Sequence, residues 1–340
     1  MTSEPVERAA VIGSGAWGTT LAILLARNDV ATTLLTRTED EAVRLRETRE
    51  NAHRLPGVSF PDAMAVSADS SILADAQLVA IAAPSRSFAA NLAATAQHIA
   101  EGVTVVSATK GIDFETGRRM SELLAEAVPQ CKVAVLSGPN LSAELAAGLP
   151  GTTVLASTDA PLEQVRAAFH SGSFRVYTSS DVIGVELGGA LKNVIAIAVG
   201  AAEALRLGNN AKAAIVTRGL AEITRLGVAA GADPLTFQGL AGIGDLATTA
   251  FSPLSRNRRL GELTARGATL DEVRAQLNGT AEGADTIPAA LRLAASLGVE
   301  MPITEGLHDV FFDGVAFADA VAALMERDPT SELEARGATS

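Results

Sequence analysis

The sequence predicts an α/β fold with a doubly wound, mostly parallel sheet, followed by a C-terminal all-helical domain. Short β-rich runs alternate with helical patterns through the first half, which is typical of parallel strands joined by helical crossovers. A glycine-rich turn also separates the first predicted strand from the first helix. After about Tyr177 no convincing strand remains. These changes predict domains over residues 1–180 and 181–328, with residues 329–340 as a frayed polar tail.

The predicted elements follow from short apolar runs in the first half and longer alanine- and leucine-rich runs in the second. The predicted strands are Ala9–Gly13, Thr32–Thr36, Met64–Ser67 (the weakest), Gln77–Ala82, Val103–Ala108, Lys132–Ser137, Thr152–Ala156 and Phe174–Thr178. The predicted helical segments of the second half are Val182–Leu205, Ala211–Leu226, Pro234–Phe237, Leu260–Arg266, Asp285–Leu297, Ile303–Phe312 and Ala316–Glu326.

Composition limits the classes of function. The 340 residues carry 27 Lys and Arg against 39 Asp and Glu, a formal net charge of −12. A chain this acidic is poorly suited to general binding of nucleic acid or acidic membranes, so an anionic ligand needs a local cationic site. The single cysteine, Cys131, excludes an intrachain disulfide and a cysteine-clustered zinc site, and it suits a reducing compartment.

The sequence predicts a cytoplasmic protein without membrane insertion. The N-terminal residues are acidic and lack a long apolar stretch before Gly13, which is unlike a signal peptide. The longest apolar stretch, Val194–Ala202, is far shorter than the ~20 residues that span a bilayer.

The glycine-rich turn has the spacing G-x-G-x-x-G and stands between a predicted strand and a predicted helix. In such a Rossmann-type turn Gly13 permits the tight bend, Gly15 lets a pyrophosphate approach the backbone, and Gly18 allows close packing of helix and strand. The helix N-terminus then offers free N–H groups to the phosphates. An ordinary glycine-rich turn is the alternative, but the context favours dinucleotide binding.

The end of the second predicted strand favours NADP(H) over NAD(H). A site selective for NAD usually places an acidic residue there to bind the ribose hydroxyls. Arg37 stands at this position instead, and the nearest acids, Glu39 and Asp40, are expected to open the next helix. Arginine can pair with a 2′-phosphate, although a solvated arginine at a strand end is the alternative.

Two later strands end in residues suited to ligand contact. Lys110 follows one predicted strand and Gly138 follows the next, at the carboxyl edge where open α/β sheets bind ligands. A solvated lysine is the alternative for Lys110.

Lys192 lies in a predicted helix that is apolar on every face and therefore predicted to be buried. Its nearest acid, Glu186, lies six positions away and off the same face. A buried amine without a local partner has a pKa that falls towards neutrality, which suits proton exchange with a substrate oxygen. The alternative is a lysine that reaches outward to solvent. Asp245, in a turn flanked by glycines, could orient Lys192, bind a substrate hydroxyl or cap a helix.

Three arginines crowd the start of another predicted helix. Ser255 is a suitable N-cap, and the first turn then contains Arg256, Arg258 and Arg259. Cations are disfavoured at a helix N-terminus, so their presence favours a phosphate site. Pairing with surface carboxylates is the alternative.

Together a hydride cofactor, a lysine acid–base group and a phosphate site predict reduction of a phosphorylated ketone or oxidation of the matching alcohol. The histidines lack metal-ligand spacing, so no metal site is predicted. They are His53, His98, His170 and His308.

Several long segments, in order along the chain, carry a family resemblance. They are Gly13–Gly18, Ala108–Gly111, Ser137–Pro139, Glu144–Gly148, Leu187–Val194, Thr217–Leu220, Gly242–Leu246, Ser255–Arg259 and Glu282–Gly283. With them the chain resembles the bacterial NAD(P)-dependent glycerol-3-phosphate dehydrogenases from Gly13 to about Phe312. Ala16, Arg54, Asn140 and Ser142 depart from the residues common in that family.

The resemblance implies that Lys192 exchanges the proton, with Lys110 and Asp245 as the other catalytic residues. The residues implied to contact glycerol 3-phosphate or dihydroxyacetone phosphate are Lys110, Gly138, Asn140, Lys192, Asp245, Thr249, Ser255, Arg256 and Asn257. The residues implied to bind NADP(H) or NAD(H) are Gly13, Gly15, Ala16, Trp17, Gly18, Arg37, Arg54, Lys110, Ser142, Arg256, Thr280 and Glu282.

The family's usual task is to supply glycerol 3-phosphate for glycerophospholipids, so the resemblance implies reduction as the physiological direction and a homodimer as the assembly. Two alternatives stay open. One is another β-hydroxyacid dehydrogenase of the same two-domain plan, whose carboxylate substrate could bind the Ser255–Arg259 cluster. The other is a non-catalytic nucleotide sensor.

Overall fold

The computed structural model describes residues 5–277 and 282–327. The chain forms two compact units. The first comprises the residues up to Lys110 together with Arg119–Val182, and the second comprises Gly111–Arg118 and the residues from Ile183 onward. Gly111–Arg118, placed in the first domain by the sequence, groups with the second unit because it packs there, with the Arg292 guanidinium 5.4 Å from the Phe114 ring centroid. The predicted tail over residues 329–340 lies outside the described residues.

The first unit is built on one eight-stranded sheet. Its strands are β1 (Arg8–Ile12), β2 (Ala31–Leu35), β3 (Met64–Ser67), β4 (Leu78–Ile81), β5 (Thr104–Ser107), β6 (Lys132–Ser137), β7 (Gly151–Ala156) and β8 (Phe174–Ser179). The strand order is β3-β2-β1-β4-β5-β6-β7-β8. Every neighbouring pair is parallel except β6 and β7. The predicted mostly parallel sheet is confirmed, including the weak strand at the β3 edge.

Helices cover both faces of this sheet. They are α1 (Ala16–Arg27), α2 (Glu39–Thr48), α3 (Ser85–Thr95), α4 (Met120–Ala127), α5 (Ser142–Ala146) and α6 (Leu162–Phe169). Successive strand residues point to opposite faces. Val11 therefore packs with Leu21 of α1 in one core, whereas Ile12 packs with Phe88 of α3 in another. This arrangement places the carboxyl ends of the parallel strands along one edge.

The described residues of the second unit contain helices and turns and no strand, as the sequence predicts. The helices are α7 (Val182–Ala204), α8 (Gly208–Ala229), α9 (Asp245–Phe251), α10 (Arg256–Ala265), α11 (Leu270–Gln276), α12 (Glu282–Leu297), α13 (Pro302–Phe312) and α14 (Phe317–Met325).

The central helix α7 is a core helix. By length and composition alone it could cross a membrane, which the shorter stretch Val194–Ala202 did not suggest, but 83% of its apolar window is buried inside the protein. Its backbone lies directly against α10. A Cβ atom at Gly200 would overlap the carbonyl oxygen of Arg258, and one at Gly261 would overlap that of Ile197. These glycines fix α10 close to the helix that carries Lys192.

Candidate active site

The glycine-rich turn of the first unit has the geometry of an anion site. Gly13 has φ +110°, and a Cβ there would lie 2.9 Å from the carbonyl oxygen of Ala82. A Cβ at Gly18 would overlap the carbonyl oxygen of Gly13, whereas one at Gly15 would meet no atom within 4 Å. No side chain caps α1 and no acid occupies its first turn. The open approach and the uncapped N–H groups fit a nucleotide pyrophosphate.

Two side-chain contacts link this turn to the surrounding elements. Ala16 and Trp17 are the first two residues of α1. The indole Nε1 of Trp17 donates to the carbonyl oxygen of Ala108 at 3.1 Å. The Ser14 hydroxyl donates to Glu41 Oε1 at 2.7 Å. Glu39 and Asp40 open α2 as expected, and Glu41, which is not among the predicted site residues, follows them. The carboxylate of Glu41, in the first turn of α2, therefore lies beside the glycine-rich turn.

The two predicted cofactor arginines of this unit are both exposed. Arg37 forms no hydrogen bond or ion pair with any residue that the structure describes, which leaves its charge available to a ligand. The backbone N–H of Arg54 donates to the carbonyl oxygen of Asn51 at 3.0 Å. The amide of Asn51 donates in turn to the Ser14 carbonyl and to Thr19 Oγ1, each at 2.9 Å. Asn51, which the sequence analysis missed, thus ties the Arg54 segment to the glycine-rich turn.

The structure brings Lys110 and Gly138 together at the carboxyl edge of the sheet. Lys110 Nζ donates to the carbonyl oxygen of Gly138 at 2.7 Å. Gly138 has φ +152°, and a Cβ there would lie 3.0 Å from the Cα of Thr153. The ammonium of Lys110 is therefore held at the ends of β5 and β6, next to a backbone that only glycine fits.

Asn140 and Ser142 hold the chain beyond β6 in place. The Asn140 amide donates to the carbonyl oxygen of Thr152 at 3.0 Å and accepts from Thr153 Oγ1 at 3.1 Å. Ser142 begins α5, and its carbonyl accepts from Thr20 Oγ1 at 3.2 Å. The side chain of Asn140 thus joins β7, and its predicted contact with substrate stays a prediction.

Lys192 is buried, with 5% of its surface exposed, which confirms the predicted burial. Its Nζ forms an ion pair with Asp245 and donates to Thr249 Oγ1 at 2.7 Å. The acid comes from another helix, and of the roles that the sequence left open for Asp245 this contact supports the orientation of Lys192. A buried carboxylate beside an ammonium stabilises its charged form, which removes the reason for expecting a neutral amine.

Local backbone geometry explains how Asp245 reaches Lys192. A Cβ at Gly188 on α7 would lie 2.5 Å from the carbonyl oxygen of Ala241, so only glycine lets the 240–244 turn approach α7. This π-helical turn is kinked at Gly242 and leads directly into α9, which begins at Asp245. Asp245 and Thr249 are four residues apart and share one helix face. Both side chains therefore meet the same ammonium.

The start of α10 has the predicted cap and an unbalanced positive charge. Ser255 Oγ accepts from the Arg258 backbone N–H at 3.2 Å. The Arg258 guanidinium pairs with Glu262 at 2.8 Å. Arg256 and Arg259 are exposed and have no hydrogen bond or ion pair within the described parts of the chain. Pairing with carboxylates thus accounts for one of the three arginines, and the other two leave a cationic helix N-terminus.

The remaining residues considered in the sequence are Asn257, Glu282, Thr280 and the histidines, and the structure describes all of them except Thr280. Asn257 is buried, and its side chain accepts a backbone hydrogen bond from Gly283. Glu282 is the first residue of α12, whereas Thr280 lies outside the described residues. Among the histidines, His308 lies near the C-terminal end of α13, where its Nδ1 is 3.1 Å from Asp313 Oδ2. This pair is far from Lys192 along the sequence.

Comparison with known proteins identifies the family. Residues 8–163 match the family described as NAD-dependent glycerol-3-phosphate dehydrogenase N-terminus, and residues 181–322 match the corresponding C-terminus. The chain belongs to the NAD-dependent glycerol-3-phosphate dehydrogenase family. It is 46% identical over 330 residues to glycerol-3-phosphate dehydrogenase [NAD(P)+] of Moorella thermoacetica, covering 96% of this chain and 98% of that one. The resemblance drawn from the motifs is confirmed.

Solved structures support the same family. A glycerol-3-phosphate dehydrogenase from Coxiella burnetii matches with TM-score 0.91 and 34% identity, covering 95% of this chain and 99% of that one. A ketopantoate reductase from Ralstonia eutropha matches with TM-score 0.60 and 18% identity, covering 92% and 99%. The likeness to the ketopantoate reductase shows the fold alone, so this fold also occurs outside the glycerol-3-phosphate dehydrogenase family. Sequence identity, 34% against 18%, distinguishes the two matches.

Proposed function

We propose that the chain interconverts sn-glycerol 3-phosphate and dihydroxyacetone phosphate with NADP(H) or NAD(H). The observation that carries the proposal is the buried cluster of Lys192, Asp245 and Thr249 in a member of this family. A buried, oriented ammonium can donate a proton to an alkoxide oxygen and recover it in the reverse direction.

The first unit supplies the nucleotide site. The pyrophosphate lies against the Gly13–Gly18 turn and the uncapped N-terminus of α1, and Arg37 offers a free charge for the adenosine end. When bound, the nicotinamide supplies or accepts the hydride. NADP(H) is the proposed preferred cofactor because Arg37 is a cation that pairs with no acid among the described residues, although Glu41 lies beside the glycine-rich turn.

The second unit supplies the proton. In the reductive direction hydride adds to the ketone carbon, and Lys192 Nζ gives its proton to the oxygen that becomes negative. Asp245 and Thr249 hold Nζ in place. In the oxidative direction the same nitrogen takes the alcohol proton. Lys110 is a second cation for the developing charge.

The start of α10 binds the phosphate of the substrate. Its N–H groups, the cap Ser255 and the guanidinium of Arg256 form a cationic site in a chain with net charge −12. We extend the proposal to a cytoplasmic homodimer that lacks membrane insertion, binds no nucleic acid and supplies glycerol 3-phosphate for glycerophospholipids.

A substrate panel tests the proposal. Oxidation of NADPH and NADH is followed with dihydroxyacetone phosphate, dihydroxyacetone, ketopantoate and other 2- and 3-keto acids. We expect turnover with dihydroxyacetone phosphate and little with unphosphorylated dihydroxyacetone. Preferred reduction of a keto acid would instead support the other β-hydroxyacid dehydrogenase, and nucleotide binding without turnover of any ketone would support a sensor.

A further inference from the structure

The side-chain amide of Asn257 joins the starts of two helices. Asn257 is the second residue of α10, and its Oδ1 accepts the backbone N–H of Gly283 at 2.9 Å. Gly283 is the second residue of α12, and the first N–H groups of a helix have no partner within it. Asn257 therefore caps α12 from a neighbouring helix.

The same first turn of α12 also rests on α7. A Cβ atom at Gly283 would lie 2.7 Å from the carbonyl oxygen of Asn193 and 2.8 Å from the Ile197 side chain. Asn193 directly follows Lys192. The start of α12 is thus held between the helix that bears the proposed proton donor and the helix that bears the cationic N-terminus.

The orientation of the Asn257 amide follows from this bond. Because an N–H donates to it, the atom facing Gly283 must be the oxygen, so the Nδ2 group lies on the other side of the amide. Nδ2 makes no hydrogen bond to any residue in the described ranges. The two N–H groups of Nδ2 are therefore at the start of α10, next to Arg256. The helix N-terminus and the guanidinium favour an anion there.

We propose that Asn257 is a positioning residue that couples the two ligands. Its Nδ2 group binds the substrate phosphate while its Oδ1 holds the first turn of α12, which begins with Glu282. This inference rests on the proposed function and on the family resemblance, which implies that Glu282 binds the nucleotide. Phosphate bound at α10 then fixes the amide and the first turn of α12, so that substrate strengthens nucleotide binding and nucleotide strengthens substrate binding by the same factor.

The test measures NADPH affinity with and without glycerol 3-phosphate, a pair that cannot react because both are reduced. In the wild type we expect glycerol 3-phosphate to lower the NADPH Kd by about fivefold or more. In Asn257→Ala the NADPH Kd without substrate should rise by about fivefold, the usual effect of a lost helix cap, and the coupling should vanish. Asn257→Asp keeps an acceptor for Gly283, so its NADPH Kd without substrate should stay near that of the wild type while glycerol 3-phosphate binds weakly.

Ser255→Ala is the matched control, because it removes the cap of α10 without touching α12. This variant should bind glycerol 3-phosphate more weakly and leave the NADPH Kd without substrate unchanged. Hydrogen exchange of the peptide that contains Gly283 gives a readout independent of activity. Exchange should be faster in Asn257→Ala than in Asn257→Asp or Ser255→Ala, and inorganic phosphate should slow it in the wild type.

An unchanged NADPH Kd in Asn257→Ala, or equal weakening in Asn257→Asp, would overturn the positioning role. If Asn257→Ala does not fold, exchange in the wild type still decides, since no slowing by inorganic phosphate contradicts the coupling. A wild-type chain that does not reduce dihydroxyacetone phosphate would refute the proposed function instead, and the affinities and exchange rates would still report on Asn257.

Discussion

The two units build their parts of the site in different ways. In the first unit the turn proposed to bind the nucleotide is six consecutive residues, Gly13–Gly18, and its glycines are needed for bending, close packing and open approach. In the second unit Lys192, Asp245 and Thr249 are buried side chains from helices far apart in the sequence. A backbone site depends on local sequence, whereas a buried charge cluster depends on tertiary packing that brings distant helices together.

The largest effect is expected from breaking the side-chain cluster. Lys192→Ala removes the proposed proton donor, so kcat should fall by about 10³-fold, within the range typical of a general acid. The NADPH Kd should change less than twofold, because the turn of the first unit is untouched. Stopped-flow reduction of dihydroxyacetone phosphate and NADPH titration measure the two quantities.

Lys212→Ala is the matched control for this variant, since Lys212 also pairs with a carboxylate, Glu203, but outside the proposed machinery. Its kcat should equal that of the wild type. A Lys192→Ala enzyme that turns over at a near-normal rate would remove the lysine from the mechanism. Its folding needs a check by thermal denaturation, because Asp245 would lose its buried partner.

A second buried charge of this unit lies outside the proposed active site. The Glu222 carboxylate on α8 accepts from the backbone N–H of Ile303 at 2.6 Å and from Thr304 Oγ1 at 3.2 Å, at the start of α13. Burial raises the pKa of Glu222 to about 7, against 4.5 for an exposed glutamate, although the hydrogen bonds from Ile303 and Thr304 oppose the shift.

This raised pKa predicts a pH-dependent stability with a definite sign. Between pH 4.5 and 7 the folded chain keeps a proton on Glu222 that the unfolded chain has lost, so stability falls as pH rises through this window. Glu222→Gln keeps an acceptor for Ile303 but cannot ionise. Urea unfolding at several pH values measures this. As pH rises from 4.5 to 7, the free energy of unfolding of the variant should increase by up to about 3 kcal/mol relative to that of the wild type. A constant difference from pH 4.5 to 7 would contradict the shift.

The cationic start of α10 combines features of the two kinds of site, because helix N–H groups and side chains both contribute to it. Arg256→Ala should raise the KM for dihydroxyacetone phosphate by about 10- to 100-fold, the effect of losing a hydrogen bond to a charged group. Arg258→Ala is the control, since Arg258 already pairs with Glu262. Steady-state kinetics should give it a much smaller rise in KM. Equal effects of the two variants would count against Arg256 as the phosphate ligand.

The sequence predicted most of what depends on local pattern. All eight strands, the mostly parallel sheet, the burial of Lys192 and the Ser255 cap follow from periodicity, apolar composition and capping chemistry within a few residues. The same reasoning left the role of Asp245 undecided, because its partner lies 53 positions away. Glycine contacts such as Gly188 with Ala241 were equally hidden, since the neighbour of a glycine is set by the fold.

Several polar contacts of the site could not be found from the sequence. Glu41 bonds Ser14 across 27 positions, Asn51 bonds Thr19 across 32, and Asn257 bonds Gly283 across 26. Each residue type is common on protein surfaces, and only the packing of separate elements makes it a partner. Grouping of Gly111–Arg118 with the second unit has the same origin, because its contacts come from α12.

The smallest effect is expected from Glu41, the carboxylate that accepts from Ser14 in the glycine-rich turn, and it tests how far that turn is a pure backbone site. Glu41→Gln keeps an acceptor for Ser14 but removes a negative charge that would repel a 2′-phosphate. The ratio of kcat/KM for NADPH to that for NADH should rise by about threefold, as fits a partly exposed charge. Glu39→Gln is the control, because Glu39 is exposed and already paired with Arg46. A ratio that stays constant in Glu41→Gln would mean that the backbone of the turn and Arg37 alone set the cofactor preference.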